Sequence, residues 1–116
     1  MVPGIQMDSL IARKIWRSIV VNETETGESY MVGQADHAKV PIPKFSTNQE
    51  DAHKIVEYFQ AKNWFFRVKH IPEKDMYQTC FYKEDNHQYQ FSAADTLPMA
   101  ICIAGLAVID GSNIVG

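Results

Sequence analysis

The residues here whose types and spacing could do chemistry are suited to holding an anion rather than to breaking a bond. In "PIPKFST", Ser46 and Thr47 stand at the expected start of a helix, where free backbone amides and hydroxyls favour a phosphate, and Phe45 precedes them. A second such start falls at Asp95 and Thr96, although the Asp95 carboxylate would repel an anion there. In "WFFRVKH", Arg67 and Lys69 alternate onto one face of an expected strand with Phe65 in line. That face could stack a base and hold its phosphates. The expected ligand-binding set is therefore Phe45, Ser46, Thr47, Trp64, Arg67 and Lys69. A plainer reading stands beside each, since caps satisfy helices and strands commonly expose arginine.

Catalytic and metal chemistry find no such spacing. His37, His53, His70 and His87 form no metal-ligand pattern, and Asp51 and His53 at i, i+2 point to different helix faces. Ser18, Ser46 and Ser92 lack a nucleophile elbow, and there is neither a P-loop nor GxGxxG. The expectation is a binding protein with no catalytic residues, no metal and no cofactor. The acidic runs "PEKD" and "KEDN" read as solvated turns.

Positioning those residues falls to one domain spanning 1–116, the whole of a 116-residue chain. Hydrophobic residues make up 46%, enough for a core, and the net charge of −3 speaks against general nucleic-acid binding. Cys80 and Cys102 read as buried thiols in a reducing compartment. "MVPGIQMDSL" has no basic start and no apolar run, and the longest apolar stretch, Leu97 to Ile109, is too short to span a bilayer. A soluble protein of the cytoplasm is expected, with no membrane partner.

After a loose stretch over 1–7, "DSLIARKIWRSIVV" predicts a first helix capped by Asp8 or Ser9. Residues 22–40 predict a polar loop with a short extended piece at Tyr30 to Val32. Pro41 and Pro43 hold the chain extended up to Ser46, which with Gln49 has capping-box spacing. Phe45 is placed as a hydrophobic staple. Ala52, Ile55, Val56 and Phe59 form the apolar stripe of the helix that follows, ended by Asn63. "WFFRVKH", "MYQTCFYKE" and "QYQFSA" predict an antiparallel meander, with "DNH" as a hairpin turn that leaves Tyr89 and Phe91 on one side. A last helix runs from an Asp95 or Thr96 cap to Gly111, leaving 112–116 as a tail. It is apolar nearly all round, and the surplus face predicts a homo-oligomer through Leu97–Ile109.

"SLIARKIW", "VPIPKFSTNQEDAHKIVEYFQAKNWFF" and "FSAADTLPMAICIAGLAV" together resemble the phage ABA sandwich domain family, over roughly residues 8 to 108. Asn48 stands where that family usually has Asp, Leu97 where it has alanine before the late proline, and Ile103 replaces a polar residue. The resemblance implies an α+β fold, an α-β-α sandwich with an antiparallel meander sheet and three helices, encoded by a bacteriophage or prophage. The function expected of a small, acidic, motif-poor phage protein is counter-defence in the cytoplasm of the infected host. It would sequester a nucleotide second messenger, a cyclic nucleotide or an ADP-ribose derivative, without turning it over. The alternative is direct inhibition of a host defence or metabolic enzyme by protein–protein binding.

Overall fold

The computed structural model describes residues 2–22, 29–32, 39–83, 88–89, 92–110 and 114–115. Helix α1 spans Ile5–Lys14, earlier than the sequence predicts. Gly4 opens it at φ 133, a conformation that side chains other than hydrogen rarely adopt. Asp8 and Ser9 are therefore buried members of α1 rather than its caps. The helix also ends sooner than predicted. Arg17 takes a left-handed φ of 53, and the Ser18 amide returns to the Ala12 carbonyl at 3.0 Å.

The β-branched run that follows is a strand, β1 (Ile19–Asn22). It pairs antiparallel with β2 (Ser29–Val32), which pairs in turn with β3 (Lys39–Pro41). β1 thus replaces the end of the predicted first helix, β2 contains the extended piece expected at Tyr30 to Val32 within the loop 22–40, and Val20 and Met31 pack on the core.

Helix α2 spans Gln49–Gln60 and buries the predicted stripe, Ala52, Ile55, Val56 and Phe59. Its cap is Asn48, not Ser46: the Asn48 side chain accepts the Asp51 amide at 3.0 Å. Asp51 reaches back to accept the Lys44 amide at 2.8 Å, which ties the proline-framed approach to the first turn. Asn63 ends the helix as predicted, at φ 70, with the Trp64 amide on the Phe59 carbonyl.

Strands β4 (Phe65–Ile71) and β5 (Met76–Tyr82) form a hairpin in which Phe65 faces Tyr82 and Arg67 faces Cys80. The third strand of this sheet lies later than predicted. Gln88–Tyr89 (β6) pairs instead with Ile114–Val115 (β8), and β7 (Ser92–Ala94) takes the place beside β5. The predicted turn at 85–87, the side chains of Tyr89 and Phe91, His37, and the stop at Gly111 lie outside the described residues.

Helix α3 (Leu97–Asp110) lies at the centre. It packs against α1, α2, β5 and β7, so its apolar residues are used within the chain on nearly every side. Gly105 permits this. A Cβ there would stand 3.0 Å from Ile55 Cγ2 and 3.1 Å from Ile15 Cδ1, methyls of two different helices. Thr79, buried in β5, donates its hydroxyl to the Ala100 carbonyl and locks α3 to the sheet. Among the described residues the architecture is an α+β sandwich of three helices and two three-stranded antiparallel sheets, with the β6–β8 pair beside them.

Candidate functional site

Strand alternation divides the hairpin sheet into two faces. Phe66 and Phe81, directly opposite each other, belong to the face that packs on Phe59 of α2. Phe65, Arg67, Lys69, Gln78, Cys80 and Tyr82 belong to the other. On that outer face Phe65 stacks on Tyr82 with ring centroids 5.4 Å apart. The Arg67 guanidinium lies over the same Tyr82 ring at 5.3 Å, within cation–π range. Lys69 follows two residues along, exposed. The result is an aromatic pair with one cation over it and a second further along the strand, a geometry able to hold a planar anionic ligand by stacking and charge.

Trp64 does not share this platform. It packs edge-on to Phe59 at 6.2 Å, on the core side, and the Lys83 ammonium sits over its ring at 4.9 Å. The structure therefore gathers Arg67 and Lys69 as the sequence predicts, and sets Trp64 on the opposite face.

The other half of the predicted set is drawn inward. Phe45 and Ser46 are each 1% exposed. Phe45 stacks on Trp16 at 5.0 Å and belongs to the buried core with Ala52 of α2. The Ser46 hydroxyl donates to Asp8 Oδ1 at 2.7 Å, and the Ser46 amide donates to the same oxygen at 2.8 Å. The Gly4 amide donates to the Ser46 hydroxyl oxygen at 2.8 Å. With a carboxylate already holding both donors, Ser46 offers an anion nothing. Only Thr47 of that trio is exposed.

Two titrations follow from packing. Burial pushes the Cys102 thiol up to about 12, and the nearby Asp8 charge adds to the effect. Burial works to raise the Asp51 carboxyl, but the Lys44 amide and the Lys54 side chain prevail and hold it below its ordinary value. Neither group bears on the platform. Among the described residues no three His, Cys, Asp or Glu side chains are grouped to hold a metal, and no helix is long and apolar enough to cross a membrane.

A second feature was not legible in the sequence. A groove of about 700 Å³ has Phe66, Leu97 and Ile101 among its lining, with Gln49, Glu50, His53 and Glu57 of α2 along one wall. Its residues come from three elements distant in the chain. Tyr82 escaped notice for a related reason, because only the β4–β5 register shows that it stacks on Phe65.

A phage protein from Bacillus cereus ATCC 14579, known from a crystal structure, is similar to this chain. It is 26% identical, with 92% of this chain and 91% of that one aligned and a TM-score of 0.67. No curated protein matches the chain significantly. Of the positions at which the sequence is expected to depart from the family pattern, Asn48 caps α2, Leu97 lines the groove, and Ile103 packs half-buried against the core. With the phage ABA sandwich domain matching residues 9–106, most of the described fold, the chain belongs to that family.

Proposed function

We propose that this phage-family protein is a non-enzymatic sponge, which binds a nucleotide second messenger of bacterial immunity and withholds it from its effector. The observation that carries the reading is the Phe65–Tyr82 stack with Arg67 over the same ring and Lys69 beside it. A base stacks on such a platform, and the two cations meet its phosphates. Sequestration needs only tight stoichiometric binding, which suits a chain without catalytic spacing.

Self-association through Leu97–Ile109 belongs to the same proposal and rests on a narrower surface than the sequence implies. What α3 leaves outside is Ile109, 40% exposed, with Leu97, Ile103 and Val108 half-buried. Native mass spectrometry of the protein drawn from cells with active nucleotide-based defence tests both points. The expected result is an added mass matching a cyclic nucleotide or ADP-ribose derivative, recovered intact on denaturation. Arg67→Ala should weaken binding about 10- to 100-fold, the worth of charge-assisted hydrogen bonds, while folding is unchanged. Bare protein from every such lysate would overturn the reading.

Direct docking onto a host protein is a second reading, favoured by the groove beside Phe66 and by the open edge of β4.

A further inference from the structure

The β4-β5-β7 sheet has two edges of unequal character. β7 has three residues, whereas β4 has seven, contains no proline, and has no described strand on its far side. An edge strand presents a row of backbone donors and acceptors, and such edges are usually blunted by brevity, proline or charge. β4 has only the charge, and places Arg67 and Lys69 on the outer face. On the opposite face the same strand carries Phe66, which lines the groove, then Val68, an apolar residue 48% exposed.

The charges decide what this edge accepts. A second copy of β4 could pair antiparallel with the first only in registers that place residues of one face opposite each other. In every such register that overlaps most of the strand, Arg67 stands opposite Lys69, or Arg67 opposite Arg67, or Lys69 opposite Lys69. Like charges directly opposite are destabilising. The complementary strand carries carboxylates at two positions two apart, facing Arg67 and Lys69. The residue between them, on the Val68 side, is apolar.

We infer that the β4 edge is a docking site for an extended acidic–apolar–acidic segment of a partner protein, added to the sheet as a new strand beside the Phe66 groove. Backbone pairing supplies the affinity and the alternating side chains supply the choice of partner. The inference rests on the protein-docking reading above, and because the segment's carboxylates meet the same Arg67 and Lys69, it competes with a nucleotide for them.

Short synthetic peptides alternating Glu and Val, Lys and Val, and a shuffled Glu/Val sequence, titrated into isotopically labelled protein, test it. The Glu/Val peptide should slow exchange of alternate β4 amides and bind at least tenfold more tightly than the other two. Val68→Glu, at an exposed position on the face away from Arg67, sets a carboxylate against the segment and should weaken that binding at least tenfold, leaving the nucleotide affinity governed by Arg67 unchanged. Equal binding of the Lys/Val peptide, or no protection of β4, would overturn the inference. So would concentration-dependent protection of β4 without peptide, which would give the edge to a second copy. A nucleotide found in the protein without peptide binding would refute docking and leave the sponge standing.

Discussion

One carboxylate oxygen, Asp8 Oδ1, accepts both the hydroxyl and the amide of Ser46, at 2.7 and 2.8 Å. The bond joins α1 to the approach into α2 across 38 positions of chain, and both residues are buried. A buried acid is costly unless its oxygens are satisfied, and here two donors meet one of them, the hydroxyl having only the Gly4 carbonyl at 3.3 Å as an alternative.

Asp8→Ala strands the Ser46 amide in the interior and leaves the hydroxyl only the Gly4 carbonyl, and should cost about 2 kcal/mol of stability. Asp8→Asn keeps one acceptor and should cost about half as much. Urea unfolding followed by tryptophan fluorescence measures both, with exposed Thr47→Ala as a control expected within about 0.5 kcal/mol of the parent. An Asp8→Ala protein as stable as the parent would show that the pair is incidental.

Gly105 predicts a steric threshold. In Gly105→Ala the methyls of Ile55 and Ile15 must each give way by a few tenths of an ångström, a cost offset by about 1 kcal/mol of helix propensity. Gly105→Val has no such relief, because the branched side chain enters the space between three helices, and it should lose about 3 kcal/mol. Thermal unfolding of the two variants should separate them clearly. Similar midpoints would mean that α1 and α2 are held less closely than the contacts imply.

Cys102 gives the fold an alkaline limit. Its thiol stays protonated in the native state up to about 12, while in the unfolded chain it ionises near its ordinary 9.0. Between those values the unfolded state binds fewer protons, so stability falls as pH rises, by about 1.4 kcal/mol per pH unit. Below 9 this contribution is flat. Cys102→Ala should flatten the alkaline slope by that amount whatever the substitution costs at neutral pH, and denaturant titrations from pH 8 to 11 measure the difference. An unchanged slope would place the thiol in reach of water.

Legibility followed the length of each pattern. α2 was plain because Ala52, Ile55, Val56 and Phe59 repeat over about two turns and proline forbids an earlier start. The first sheet was hidden because Ile19, Val20 and Val21 extend the apolar spacing of α1, and the break falls at Arg17, which carries no glycine or proline to announce it. Ser46 and Asn48 are both good caps by type, so only the position of Asp8 determines which one serves α2. The cationic face was half visible: alternation placed Arg67 with Lys69, but Tyr82 joins them through a register that no local pattern specifies.

The central position of α3 carries a consequence for how the chain acquires its shape. In chain order α3 follows α1, α2, β5 and β7, yet it is the surface on which all four meet. α1 and α2 therefore emerge with part of their packing at hand, α1 against β1 and β2 and α2 against β4, but with the face each gives to α3 still uncovered. Closure awaits contacts between residues as far apart as Ile15 and Gly105. Long-range contacts of this kind slow folding, because loop entropy is lost before burial returns it. The contacts of α3 are thus among the last the chain can make, and the sandwich closes only once α3 is in place.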